Sequence, residues 1–63
     1  MLRVVLNGKE YEVEEDKKLG DFFKEVGIEG ALGAKLGSKI IDLQTPIRES
    51  GELVPIYKGD PES

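Results

Sequence analysis

The stretch GAKLGSKI, Gly33 to Ile40, places two glycines, two lysines and a serine within eight residues. Glycine and lysine at that density could cradle a phosphate. The nucleotide signature is G-x-x-x-x-G-K-[ST], with a strand before it and a helix after it. Counted from Gly33, the second glycine is replaced by Ser38. Lys39 keeps the lysine position, but Ile40 stands where a hydroxyl would reach magnesium. The following residues, IIDL, are strand-like, so no helix N-terminus is aimed at an anion. The spacing reads as a hairpin turn and not as a phosphate loop.

Carboxylates are the second candidate. Glu10, Glu12 and Glu14 alternate along one segment, and Glu15 and Asp16 follow. Acid–base chemistry needs carboxyl pKa values driven apart by burial or by neighbours, and an exposed strand face supplies neither. These residues read as solvated surface, with an acidic partner-binding strip as the functional alternative. Histidine and cysteine are both absent. That removes the usual general base at neutral pH, the commonest transition-metal ligand and any thiolate nucleophile. No catalytic, cofactor-binding or metal-ligating residue is assigned.

Cations are the third. Lys17, Lys18 and Lys24 cluster near a predicted helix. Lys35, Lys39, Arg48 and Lys58 form a second group if the second hairpin and the last strand lie close together, and these four are the candidate RNA or partner contacts. The formal net charge is −4, from 13 acidic and 9 basic residues. A chain of that sign makes weak, salt-sensitive contacts with phosphate backbones at best.

A chain of 63 residues makes one small domain, burying roughly 60% of the surface its unfolded form exposes. No apolar run approaches the roughly 20 residues that span a bilayer. MLRVVLNGKE turns polar too soon for a secretory signal. A cytoplasmic, monomeric domain that does not engage membranes is the expectation.

The elements follow from periodicity. LRVVLNGKEYEVEE carries Asn7-Gly8 between alternating patterns, which predicts a two-residue type I′ hairpin because both turn residues need φ > 0. That register sets Val4 opposite Tyr11 and Leu2 opposite Val13. It gathers Leu2, Val4, Leu6, Tyr11 and Val13 on one face, whereas a three-residue loop would mix the faces. Leu19, Phe22, Phe23 and Val26 fall at i, i+3, i+4 and i+7, a single helical stripe. Gly27 suits a left-handed cap, with Ile28 for the accompanying contact. The other end lacks a capping side chain directly before Leu19, and Gly20 is costly inside a helix. About two turns with a soft start, beginning as early as Asp16, are expected.

ALGAKLGSKIIDL predicts a second hairpin about Gly37-Ser38 in a type II′ turn. Ala34 then faces Ile41, Leu32 faces Leu43, and Lys35 and Lys39 solvate the outer edge. Thr45-Pro46 and Ser50-Gly51 mark turns around a short loop or a single helical turn. ELVPIY is a last strand, with Pro55 at an edge or a bulge. The order ββαββ-turn-β leaves one helical stripe and one sheet face, each of which must cover the other. This is an α+β, ubiquitin-like β-grasp: a mixed sheet of four to five strands on one helix, residues 1–58, with 59–63 beginning a linker or tail. Some small β-grasp domains carry activated groups on a terminal Gly-Gly. Here Gly59 is followed by Asp60 and the chain ends DPES, which argues against that role.

The ordered set Ala34, Gly37-Ser38, Lys39-Ile40-Ile41-Asp42-Leu43, Pro46-Ile47 and Gly51-Glu52-Leu53 resembles the TGS family. These β-grasp domains occur in threonyl-tRNA synthetases, certain GTPases and stringent-response alarmone synthetases/hydrolases. The similarity runs from residue 2 to 57 and includes the NG turn of the first hairpin. It departs at the helix start, where the family often has Thr or Val-Leu-Asp and this chain has Lys17-Lys18-Leu19-Gly20-Asp21. The resemblance implies a non-catalytic module that docks on neighbouring domains of a larger polypeptide or helps position tRNA. Met1 directly before the first strand and the charged tail point to the N-terminal position found in synthetases. A regulatory module of an alarmone enzyme or GTPase, and a free-standing interaction domain, are the alternatives.

Overall fold

A computed structural model describes residues 1–61. The strands are β1 (Leu2–Leu6), β2 (Lys9–Val13), β3 (Ala31–Leu36), β4 (Lys39–Asp42) and β5 (Gly51–Tyr57), with one helix, α1 (Leu19–Val26). They form a five-stranded sheet in the order β2-β1-β5-β3-β4. β1 and β5 are parallel at the centre, and the other pairs are antiparallel. The mixed sheet with one helix on one face is an α+β, β-grasp-like fold.

The first hairpin has the predicted register, Leu2 with Val13, Arg3 with Glu12 and Val4 with Tyr11. Asn7 and Gly8 both have positive φ, 51° and 79°, as a type I′ turn requires. In the second hairpin Gly37 has φ 59°, and Ala34 faces Ile41 as expected. One expected pair does not form. β4 stops at Asp42, and a β-bulge between Ala31 and Gly33 breaks the alternation, leaving Leu32 53% exposed instead of facing Leu43. Gly33 permits the close approach of β4: a Cβ there would fall within 3.0 Å of the Ile41 carbonyl oxygen.

The helix ends as predicted. Gly27 is left-handed, φ 80° and ψ 23°. Its N–H donates to Lys24, and the Ile28 N–H donates to the Phe23 carbonyl at 2.9 Å, the paired bonds of a Schellman motif. The start is firmer than expected. Asp16 has φ 69° and Lys18 is extended, φ −68° and ψ 144°, so α1 begins no earlier than Leu19. In place of a capping side chain, the Leu19 N–H donates to the Thr45 carbonyl at 3.0 Å and the Gly20 N–H to the Leu43 carbonyl at 2.8 Å. Gly20 permits this contact, since a Cβ on it would sit 3.1 Å from the Leu43 oxygen. Residues 44–50 form no helical turn.

The core lies between α1 and the sheet. Val4, Leu6, Val13, Leu36 and Leu53 contribute the sheet side, and Leu19, Phe22 and Phe23 the helix side. Ile47, fully buried, closes one end from the loop. Pro55 has the edge expected of it, here a local one within a central strand. It sits beyond the β1 pairing, which ends at Leu6 with Leu53, so β5 has a neighbour there only on the β3 side. After β5 the chain turns, with the Tyr57 N–H donating to Asp60 Oδ2 at 2.8 Å. Of the expected tail, Glu62 and Ser63 lie outside the described residues.

Candidate functional site

The residues that carry the family resemblance turn out to build a latch. Asp42 Oδ1 accepts from the Gln44 N–H at 2.8 Å and from the Thr45 hydroxyl at 3.1 Å. Thr45 Oγ1 accepts from the Asp42 N–H at 3.3 Å, and the Thr45 N–H donates to the Asp42 carbonyl at 3.1 Å. This closed turn fixes the two carbonyls, of Leu43 and Thr45, that cap α1. One step further, the Ile47 N–H donates to the Lys17 carbonyl at 2.8 Å and the Asp16 N–H to the Ile47 carbonyl at 3.1 Å. The D-L-x-T-P-I run therefore serves the fold by terminating the helix through the backbone. Asp42→Ala is expected to cost about 1 kcal/mol, the usual net worth of such bonds, with an earlier urea midpoint and an unchanged slope. An unchanged midpoint would show that the turn holds without its carboxylate.

A groove of about 360 Å³ opens between α1 and the Leu43-Gln44 turn. Its floor is Phe23, Ile28, Ala31 and Leu43, and its rim mixes Lys18, Asp21, Lys24 and Gln44. Phe23 is only 2% exposed, so the floor is the outer skin of the core. Beside the groove, Lys17 is hydrogen-bonded to Glu25. That bond raises the Lys17 pKa above its ordinary value, helped by the charges of Glu25, Glu14 and Asp21 and opposed by desolvation. No polar or charged residue is buried among the described residues. Nor does any group of three or more His, Cys, Asp or Glu there have the arrangement to hold a metal ion.

The four basic candidates do not converge as a group: Lys39 and Arg48 line one pocket together with Glu49, and Lys35 and Lys58 lie elsewhere. Lys39 Nζ lies 3.4 Å from Glu49, and Arg48 Nε lies 2.9 Å from Asp16; both are exposed ion pairs of small energetic weight. Lys35 is not on an outer edge. It stands on β3 between Ile40 of β4 and Val54 of β5, on the sheet face away from α1. Lys58 follows Tyr57, which pairs with Ala31, whereas Lys39 pairs with Leu36. The two lysines are separated by five residues of strand, roughly 16 Å at about 3.3 Å per residue.

The open sheet face has two halves, which sequence patterning did not separate. Across β2, β1 and the start of β5 it carries Glu10, Glu12 and Glu52 around Val5, by register. Arg3 is 3.9 Å from Glu10. Across β5, β3 and β4 it carries the row Val54–Lys35–Ile40, with Val54 48% and Ile40 60% exposed. The signal for this row was present in the second hairpin register, which sets Lys35 opposite Ile40. The third member was hidden because strand order across the sheet is not encoded in local pattern.

No protein-family model matches the chain. The chain is 55% identical over 62 residues to the threonine–tRNA ligase of Aquifex aeolicus (strain VF5). The match takes in 98% of this chain and 10% of that protein, so the chain spans about a tenth of the length of the curated relative it matches. It is thus related to one segment of a threonine–tRNA ligase. No helix among the described residues is long and apolar enough to cross a membrane.

Proposed function

We propose that this chain is a non-catalytic TGS domain of a threonine–tRNA ligase, residues 1–58, at the N-terminal position the resemblance implies. It is cytoplasmic and monomeric in isolation, takes no cofactor itself, and acts by docking on neighbouring domains or by helping to position tRNA. The observation that carries this reading is the 55% identity over almost the whole chain to a tenth of a ligase. The chemistry agrees with an accessory role. Amino-acid activation and editing need nucleotide and metal sites, and a chain without histidine or cysteine is a poor source of either. Its ordered motif supplies a helix latch and not a nucleotide loop. Any tRNA contact by the four basic residues would take Lys39 and Arg48 away from their carboxylates.

The test uses the Aquifex enzyme. Deleting its matched segment should lower tRNA charging while leaving amino-acid-dependent ATP–pyrophosphate exchange in place. Grafting this chain into the gap should restore charging. A graft no better than the deletion, or loss of exchange in a folded deletion variant, would overturn the reading.

A further inference from the structure

Among the large apolar side chains left exposed, Met1 is terminal, and Leu32, Ile40, Val54 and Tyr57 all belong to β3, β4 and β5. Ile40 and Val54 flank Lys35 in one cross-strand row on the face that α1 does not cover. Neither belongs to the core cluster nor packs against it. Lys35 stands between the two aliphatics; the methylene stem of a lysine adds apolar surface while its ammonium stays in water, and exposed apolar surface gathered in one place and bordered by charge marks a protein contact. On the same face the adjoining half is acidic, with Glu10, Glu12 and Glu52; Arg3 is already close to Glu10. An acidic border repels a phosphate backbone and favours a protein surface whose apolar centre is edged by lysine or arginine.

We infer that the Val54–Lys35–Ile40 row is the surface by which this domain docks on another part of its own ligase, a protein face of apolar centre and basic rim. This rests on the proposed ligase reading, and it selects protein docking over tRNA for this face. The occupant follows from length: the matched segment is 10% of the relative, so the remainder of that polypeptide is tethered to the domain. Tethering makes the encounter intramolecular, at an effective concentration of the order of millimolar for short linkers. A modest apolar row with matched charge is sufficient there. The helix-side groove is the weaker choice, because Phe23 and Ala31 of its floor are already buried in the core and its rim carries both signs.

The test titrates the isotope-labelled 63-residue chain with the ligase lacking the matched segment and, separately, with tRNA. Amide shifts on addition of the protein should concentrate at Val5, Lys35, Ile40, Glu52 and Val54. The double variant Ile40→Glu/Val54→Glu should keep its melting temperature, since both sites are exposed, yet lose at least tenfold in affinity. Lys24→Glu, on the groove rim, should bind as the parent does. Shifts that map to the groove, undiminished binding by the double variant, absence of binding to the protein, or tRNA shifting the same amides would each overturn the inference. A graft that restores charging while the shifts map elsewhere removes the docking surface alone. A failed graft removes the ligase reading itself.

Discussion

Phe22→Ala is expected to leave the chain largely unfolded at 25 °C. Phe22 is 3% exposed on the side of α1 that meets the sheet. Its ring stands edge-on to Tyr11 of β2, with centroids 5.6 Å apart and planes at 81°. The Tyr11 ring in turn receives the Lys9 ammonium 5.3 Å from its centroid. Truncating a buried phenylalanine costs about 3–5 kcal/mol, and an edge-to-face pair adds about 0.5–1.5 kcal/mol beyond the area it buries. A single core in a chain this short rarely supplies more than about 3–5 kcal/mol in total. The loss therefore matches the whole stability. Circular dichroism should show the sheet signal reduced at 25 °C, recovering as osmolyte is added. Lys24→Ala on the opposite side of the helix should change stability by no more than about 0.5 kcal/mol. At about 4–8 °C per kcal/mol in domains of this size, a Phe22→Ala melting point within a few degrees of the parent would contradict the packing described.

The stripe Leu19, Phe22, Phe23 and Val26 was legible because helical periodicity and burial are both local consequences of the residue order. The two hairpins were legible for a similar reason. Asn7-Gly8 and Gly37-Ser38 each force a two-residue reversal, and the reversal dictates the register. What local pattern could not supply was anything set by strands distant in sequence. β5 enters between β1 and β3, so the edge expected at Pro55 arises inside a central strand. The topology accommodates it because β1 runs out at Leu6. The helix start depends on distant residues in the same way. A search for a capping side chain before Leu19 finds none, because the cap is the backbone of residues 43–45, more than twenty positions onward. Gly20 looked like a defect in the helix and is the opening through which that cap approaches. Among the site candidates, the basic residues were visible as residues but not as a surface. Ion pairing of Lys39 and Arg48, and the length of β3 between Lys39 and Lys58, are facts of three dimensions.

Gly33→Ala is the second large effect, and its sign is the informative part. Glycine inside a strand ordinarily weakens it, and alanine should recover roughly 0.5–1 kcal/mol of that backbone entropy. Gly33 needs no left-handed conformation, since it is absent from the positive-φ residues, so strain in φ is not the issue. The obstacle is space. The new Cβ would fall within 3.0 Å of the Ile41 carbonyl oxygen and 3.3 Å from Asp42 Cα, both backbone atoms of β4. Backbone held in a ladder cannot swing aside as a flexible side chain can. Overpacking of this kind costs about 1–3 kcal/mol, which outweighs the entropic gain. The strain also falls next to Asp42, the residue that ties the loop capping α1. Displacing β4 there should loosen the Leu43 and Thr45 carbonyls from Gly20 and Leu19. Hydrogen exchange should then report faster opening at Leu19 and Gly20 amides as well as across β3 and β4, with the β1–β2 hairpin affected only through global unfolding. Alanine at Gly33 that is neutral or stabilising would place β4 farther from β3 than the structure has it. Destabilisation confined to β3 and β4 would show that the cap does not depend on the position of Asp42. In GAKLGSKI, then, the first glycine admits a neighbouring strand and the second reverses the chain, and neither is placed to receive a phosphate.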